Sequence, residues 1–179
     1  MTVDAFKSFS KKQLILLNWW TDSSPYKNRD AIICDGSVRS GKTVCMFLSF
    51  IFWAFYMFSD SSFAVCGKTI TSLRRNIITP MLPMLRSLGF TYEELVSKNM
   101  IIIKKDGREN RFYIFGGKDE GSAALIQGMT LSGVMLDETA LMPRSFCEQA
   151  IARCSVDNSR LWFNCNPENP GHWFYVEWI

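Results

Sequence analysis

The 179-residue sequence predicts a three-layer α/β fold with a mainly parallel central sheet and an attached antiparallel β-hairpin. Three observations predict it. A glycine-rich loop at residues 36–43 lies between a short apolar run and a long uncharged one. A second apolar run ends in two adjacent carboxylates, Asp137 and Glu138. Two strand-like runs flank Asp106-Gly107, a dipeptide typical of hairpin turns.

The composition is that of a globular chain, with 47% hydrophobic and 21% charged residues. The net charge of +3 permits a nucleic-acid partner but does not by itself indicate one. The six cysteines form no C-x-x-C pair and the single histidine is His172, which excludes a usual zinc site. We therefore expect buried, reduced thiols in a cytosolic protein. No basic stretch followed by an apolar core opens the chain, so no signal peptide is predicted.

Residues 1–30 are predicted to form a helical segment ahead of a compact domain over residues 31–179. Apolar side chains recur at roughly helical spacing between Phe6 and Trp20, and Ser10 is placed to cap the helix. Gln13 lies inside this helix. Its amide either hydrogen-bonds a bound base or is simply solvated, and the local sequence leaves both interpretations open.

The loop at residues 36–43 matches the phosphate-binding template G-x-x-x-x-G-K-[ST] at every fixed position. Its glycines let the backbone approach a phosphate chain, and its successive N–H groups form a nest for the β-phosphate. A lysine then supplies charge for the β/γ oxygens, and a hydroxyl can ligate Mg²⁺. We predict an ATP and Mg²⁺ site rather than a chance glycine loop, made of Gly36, Ser37, Val38, Arg39, Ser40, Gly41, Lys42 and Thr43.

The flanking segments support this interpretation. Residues 31–34 form a short apolar strand, and residues 44–58 form an uncharged helix whose N-terminus points at the bound anion. That helix is shorter than the roughly 20 residues that span a bilayer. It also begins on a loop that must lie in water. We therefore expect a helix buried in an α/β core and no membrane association.

The middle of the chain alternates strands and helices. A strand is predicted at residues 63–67, followed by a helix over residues 71–88 with an interruption near Pro80 and Pro83. Gly89 then caps that helix. The hairpin strands are residues 100–103 and 111–115, and a short helix is predicted over residues 123–127.

The apolar run at residues 132–136 delivers two carboxylates at its end. We expect this strand to lie beside the phosphate-loop strand, with Asp137 holding Mg²⁺ through water. Glu138 would polarise the water that attacks the γ-phosphate. A helix over residues 143–154 follows, with Pro143 at its first position.

The last predicted strand, residues 160–167, runs into a polar tip at Asn164-Cys165-Asn166. A polar side chain there either senses the γ-phosphate or marks an ordinary turn, since Asn and Pro favour turns. The aromatic segment at residues 172–179 has no closing polar stretch, and we expect it to be a cut end.

Three stretches together resemble the ATPase domain of the large terminase subunit of tailed bacteriophages, the motor that packages DNA into capsids. They are residues 35–43 (D-G-S-V-R-S-G-K-T), residues 126–128 leading into 131–138, and residues 163–173 (F-N-C-N-P-E-N-P-G-H-W). The resemblance covers about residues 10–179. It implies an ASCE-like phosphate-loop NTPase that uses ATP and Mg²⁺.

The resemblance also implies residue roles. Arg39 would act on the γ-phosphate, with an outward-pointing arginine as the alternative, and Gln13 would contact adenine. Asn164, Cys165 and Asn166 would couple hydrolysis to DNA movement, although many members have a hydroxyl residue there. The implied partners are double-stranded DNA, further subunits of a homo-oligomeric ring, the portal protein and the small terminase subunit.

The implied setting is the cytoplasm of an infected bacterial host. Members usually continue into a C-terminal nuclease domain of RNase H-like fold. We expect this chain to be the ATPase portion alone, without nuclease activity.

Other functions fit parts of the pattern. A GTPase would need a guanine-specificity motif such as N-K-x-D, which the sequence lacks, and a small-molecule kinase needs no Glu138. A nucleotide-gated assembly subunit with little turnover also fits, with the aromatic C-terminal segment as its docking element. Arg74 and Arg75 are candidates for an arginine donated to a neighbouring subunit, or are surface arginines.

Overall fold

The computed structural model describes residues 9–36, 41–166, 169 and 171–179. Within these residues seven strands form one sheet. They are β1 (Ala31–Asp35), β2 (Ser61–Gly67), β3 (Thr91–Leu95), β4 (Met100–Lys105), β5 (Arg108–Gly116), β6 (Gly133–Leu136) and β7 (Arg160–Cys165). The helices of the same residues are α1 (Lys11–Asn18), α2 (Lys42–Met57), α3 (Ile70–Leu73), α4 (Thr79–Ser87), α5 (Ala123–Ile126), α6 (Arg144–Ala152) and α7 (Trp173–Trp178).

The strand order is β1-β7-β6-β2-β5-β4-β3. Strands β1, β7, β6, β2 and β5 are parallel, and β4 and β3 are antiparallel additions. This confirms the mainly parallel α/β fold. Because parallel strands share their carboxyl edge, the loops after β1, β6 and β7 meet on one side of the sheet.

The predicted contact between the acidic strand and the phosphate-loop strand is wrong. Strand β7 lies between them, pairing Ile33 of β1 with Phe163 and Met135 of β6 with Trp162. Two strands that are distant in sequence become neighbours only through the crossovers that connect them, so local patterns do not encode their order. The consequence is that the tip of β7 separates the phosphate loop from the carboxylates.

The predicted hairpin is confirmed, and it is longer than expected. Asp106 and Gly107 both have positive φ, 49° and 77°, as the mirror-image hairpin turn requires. Strand β5 also pairs in parallel with β2, so the hairpin continues the central sheet. Strand β3 was not predicted. It is a mostly exposed edge strand with two glutamates, and its sequence resembles a loop.

The predicted break near Pro80 and Pro83 lies elsewhere. A π-helical turn over Arg74–Ile78 joins α3 to α4, and the helix then continues through both prolines. A wider turn just before Pro80 accommodates a residue that has no N–H to donate to the preceding turn. Gly89 follows the helix with φ +84°, as expected for a left-handed helix end. Pro143 is the N-cap of α6 rather than its first residue.

The core lies on both faces of the sheet. Helix α2 fills one face, where Phe50, Trp53 and Trp162 pack with ring centroids 4.9–6.1 Å apart. Phe146 of α6 and Phe174 of α7 are buried on the other face. Helix α2 is therefore the buried core helix predicted from the sequence. None of the helices in the described ranges is long and apolar enough to cross a membrane.

Helix α1 packs on the same core. Ser10 caps it, and the Ser10 and Gln13 side chains each accept the other's backbone N–H in a capping box. Leu16, Leu17 and Trp19 are buried. The predicted capping residue is thus confirmed, and the helix adds its apolar face to the layer that contains α2.

Candidate nucleotide-binding site

The phosphate-loop template is anchored at both ends. Strand β1 leads into Gly36, and Gly41 has φ +76° as the N-cap of α2. A side chain at Gly41 would also meet the Gln13 Nε2 atom at 2.9 Å, so glycine is required both by its conformation and by its close neighbour. Ser37, Val38, Arg39 and Ser40 lie outside the described residues.

Lys42 is the first residue of α2, and its ammonium lies among three acceptors. It donates to the backbone carbonyl of Gly36, to the carbonyl of Cys165 at 3.1 Å and to Asn166 Oδ1 at 2.9 Å. The phosphate-loop lysine and the tip of β7 are therefore in direct contact. The sequence predicted both groups for the site, but not this contact.

Asn164 connects the two predicted metal ligands. Its Nδ2 group donates to Asp137 Oδ1 at 2.6 Å and to Thr43 Oγ1 at 3.2 Å. The end of β6 and the start of α2 thus meet through the side chain of the strand that lies between them. Asn164 is itself buried, and its Oδ1 atom has no hydrogen-bond partner among the described residues.

The oxygens at this point suit Mg²⁺. Asp137 Oδ1 and Thr43 Oγ1 both lie within hydrogen-bond range of one nitrogen atom, so they converge on a single position. A carboxylate and a hydroxyl are the hard oxygen ligands that Mg²⁺ prefers, and this cation usually keeps several waters besides one or two carboxylates. Asn164 Oδ1, unpartnered within the described part of the chain, is an acceptor that such a water would satisfy.

Asp137 is held in an environment that disfavours its charge. Burial raises the pKa of its carboxyl group from 3.8 to about 6, and the adjacent charge of Glu138 adds to the rise. The Asn164 hydrogen bond and the Lys42 charge act in the opposite direction. A cation placed beside Asp137 would relieve this desolvation, which is the electrostatic pattern of a metal-binding carboxylate.

Glu138 is exposed and adopts a left-handed backbone conformation, with φ 52° and ψ 49°. A non-glycine residue rarely does so, and strained residues of this kind cluster at functional sites. Thr139 fixes the turn, because its buried hydroxyl contacts the carbonyl oxygens of Leu136 and Asn164 at 3.3 and 3.2 Å. Sequence analysis missed Thr139, whose only signal was its position directly after the carboxylate pair.

A cleft of about 490 Å³ opens between α1 and β1 beside the phosphate loop. Gln13, Cys34, Asp35 and Lys42 line it together with apolar side chains of α1 and β1. Burial raises the pKa of the Cys34 thiol to about 12, so this group is neutral at physiological pH. The predicted adenine-contacting residue and the phosphate-binding lysine therefore face one cavity.

The two arginines considered for a neighbouring subunit differ. Arg74 pairs with Glu94 at 3.2 Å and is largely covered, whereas Arg75 is exposed and donates to Asn76 Oδ1 at 3.1 Å. Both lie on the π-helical turn. Of the two, only Arg75 extends into solvent.

Known proteins share this arrangement. Residues 33–179 match the family model of the terminase large subunit, T4-like-virus type, N-terminal part. The chain belongs to the large terminase family. Among curated proteins it has no significant match.

Solved large terminases agree closely with the fold. That of a thermophilic bacteriophage is 53% identical over 96% of this chain, with a TM-score of 0.92. The same protein has been solved with ADP (52% identity, TM-score 0.92) and with ATP-γ-S (51% identity, TM-score 0.90). This chain spans 41–42% of the length of the thermophilic phage terminase in these structures.

More distant relatives share the fold alone. The ATPase domain of the Thermus phage P74-26 large terminase is 17% identical with a TM-score of 0.62, over 82% of this chain and 62% of that one. The large terminase of bacteriophage HK97 is 12% identical with a TM-score of 0.65, over 94% of this chain and 36% of that one. The architecture is therefore that of large terminase ATPase domains.

Proposed function

We propose that this large terminase chain hydrolyses ATP with Mg²⁺, and that hydrolysis drives double-stranded viral DNA into a procapsid. One observation carries the proposal. The lysine and hydroxyl at the start of α2 and the carboxylate after β6 all contact one strand tip, Asn164–Asn166. The complexes of the thermophilic phage terminase with ADP and ATP-γ-S support a nucleotide as the ligand.

The residues divide the work by position. Gly36, Gly41 and Lys42 would bind the phosphates at the N-terminus of α2, where backbone N–H groups and the helix dipole favour an anion. Thr43 and Asp137 would hold Mg²⁺, which when bound neutralises charge on the β- and γ-phosphates. Gln13 would contact adenine in the cleft between α1 and β1.

Hydrolysis needs a base close to the metal ligand. Glu138 follows Asp137 directly, is exposed, and is held in a fixed turn by Thr139. Its carboxylate would accept a proton from the attacking water. Arg39 would stabilise the charge that develops on the transferred phosphoryl group, a role worth about 10³–10⁵ in rate for the arginines of other phosphate-loop enzymes.

DNA, ring neighbours, the portal protein and the small terminase subunit are the proposed partners of the assembled motor. Asn164, Cys165 and Asn166 are the proposed coupling residues, because they join the phosphate-loop lysine to the carboxylate strand. Nucleotide occupancy therefore bears directly on the conformation of this tip. We expect the same tip to transmit hydrolysis to DNA movement.

ATP turnover with and without double-stranded DNA, at several protein concentrations, tests the proposal. We expect turnover that depends on Mg²⁺ and rises with DNA and with protein concentration. Lys42→Ala should abolish binding or turnover, whereas the matched control Lys98→Ala, an exposed lysine on a distant turn, should behave as the parent. ATP binding without turnover under every condition would instead favour a nucleotide-gated docking subunit.

A further inference from the structure

The donors of the Lys42 ammonium are all engaged by the protein. An ammonium group carries three N–H donors. In this structure they meet three acceptors, the carbonyls of Gly36 and Cys165 and the side-chain oxygen of Asn166. Two of the three acceptors belong to the tip of β7. A phosphate oxygen that binds Lys42 must therefore replace at least one of them.

The metal-binding oxygens are occupied in the same way. Both amide hydrogens of Asn164 are used, one toward Asp137 Oδ1 at 2.6 Å and one toward Thr43 Oγ1 at 3.2 Å. A carboxylate has no proton to donate, so the amide must present its nitrogen to Asp137. That orientation leaves Asn164 Oδ1 buried, with no partner among the residues that the structure describes. A cation between Asp137 and Thr43 must displace this amide.

We propose that residues 164–166 are internal ligands that compete with nucleotide and cation, and that nucleotide loading is an exchange that releases the tip of β7. Asn166 and the Cys165 carbonyl stand where phosphate oxygens bind Lys42, and the Asn164 amide stands where a cation joins Asp137 to Thr43. The inference rests on the proposed nucleotide site. It deepens that function by assigning the tip a position in the nucleotide-free chain.

The exchange predicts the sign of a mutational effect. The Asn166–Lys42 contact competes with the phosphate, so it opposes nucleotide binding. Removing it leaves Lys42 with one acceptor fewer to give up. A residue that instead contacted the nucleotide would act in the opposite direction, because its removal would weaken binding.

The experiment compares three chains for binding of a fluorescent ADP analogue, first with EDTA and then with Mg²⁺. They are the parent, Asn166→Ala, and the matched control Asn169→Ala. Asn169 lies in the same connection and accepts a bond from the Gly171 N–H at 2.8 Å. We expect Asn166→Ala to bind about three- to tenfold more tightly than the parent in EDTA, as expected when a bond to a charged group that competes with the ligand is lost. The control should match the parent.

Two outcomes are kept apart. Unchanged or weaker binding by Asn166→Ala, with a parent that binds normally, overturns the exchange and leaves the nucleotide site intact. A parent that binds no nucleotide, or a Lys42→Ala variant that binds as well as the parent, overturns the proposed function itself.

Thermal unfolding supplies a second readout that does not depend on turnover. Asn166→Ala should lower the Tm of the nucleotide-free chain and leave the Tm at saturating ADP near that of the parent. The shift caused by the ligand therefore grows, as linkage requires of a contact that the ligand replaces. A smaller shift than in the parent would contradict the exchange.

Discussion

At the scale of single residues, two adjacent carboxylates have different environments. Asp137 is buried against Asn164, and burial raises its pKa to about 6. Glu138 is exposed, with a left-handed backbone that turns it away from the strand. One carboxylate is placed to hold a cation and the other to meet water.

This division predicts different defects. Glu138→Gln keeps the size and polarity of the side chain but cannot accept a proton, so ATP and Mg²⁺ should bind while hydrolysis falls at least about 100-fold. Asp137→Asn should instead weaken nucleotide binding only when Mg²⁺ is present. Titrations of a fluorescent ATP analogue, with and without Mg²⁺, measure binding, and phosphate release measures hydrolysis. Equal losses of Mg²⁺-dependent affinity in the two variants would show that the roles are not divided.

The raised pKa of Asp137 also predicts a pH effect on stability in EDTA. An acid whose pKa is higher in the folded state stabilises the fold while it is protonated, and this contribution disappears as pH rises from 3.8 through about 6. At pH 7.5 the parent therefore carries a cost of about 3 kcal/mol, because each pKa unit corresponds to about 1.4 kcal/mol. The neutral side chain of Asp137→Asn avoids this cost.

Urea unfolding of the two chains between pH 4.5 and 8 provides the measurement. We expect Asp137→Asn to be about 1–3 kcal/mol more stable than the parent above pH 6.5. The difference should shrink toward pH 4.5. A difference that is independent of pH would show that the substitution acts through packing rather than through ionisation.

At the scale of elements, the close approach of α2 to β6 brings Thr43 within reach of the acidic strand. Gly133 permits this approach. A Cβ atom there would meet the Trp53 ring at 2.7 Å and the Arg160 carbonyl at 3.0 Å. The glycine is thus needed for space between a core helix and two strands.

We expect Gly133→Ala to lower the free energy of unfolding by about 1–3 kcal/mol, the usual cost of overpacking a core. It should also weaken Mg²⁺-dependent nucleotide binding, because α2 carries Thr43. Gly121→Ala is the matched control, since its Cβ would lie 3.4 Å from the Asp119 Oδ1 atom, an ordinary contact. Denaturant unfolding compares the two, and equal stabilities would contradict the packing argument.

At the scale of the whole molecule, Ser49 joins the N-terminal segment to the sheet. Its hydroxyl lies 3.2 Å from the indole nitrogen of Trp20, after α1, and 3.2 Å from that of Trp162 on β7. Both indoles donate, since indole nitrogen carries a hydrogen and accepts nothing. One buried hydroxyl on α2 therefore satisfies donors from two distant parts of the chain.

Ser49→Ala should lower the free energy of unfolding by about 1–3 kcal/mol, because it removes the acceptor of these indole donors. Exposed Ser87, which donates to the Met84 carbonyl one turn earlier, provides the control Ser87→Ala. Tryptophan fluorescence and far-UV circular dichroism should report one coincident transition in both variants. Separate transitions would mean that the N-terminal segment unfolds independently of the sheet.

The sequence by itself determined the parts that depend on neighbouring residues. Gly36, Gly41 and Lys42 stand at fixed spacing between a strand and a helix, and Asp137-Glu138 end an apolar run. Such patterns act over a few residues, so the phosphate-loop motif, the buried helix and the hairpin turn were all predictable. The residue roles at the site remain predictions.

Only the tertiary structure decided what the strand order brings together. Strand β7 lies between β1 and β6, which places Asn164 between Thr43 and Asp137 and sets Asn166 against Lys42. No local pattern contains that order, because crossovers between parallel strands and the packing of distant side chains determine it. The exposed edge strand β3 was missed for a related reason. Pairing with β4 stabilises a segment whose own sequence has no apolar alternation.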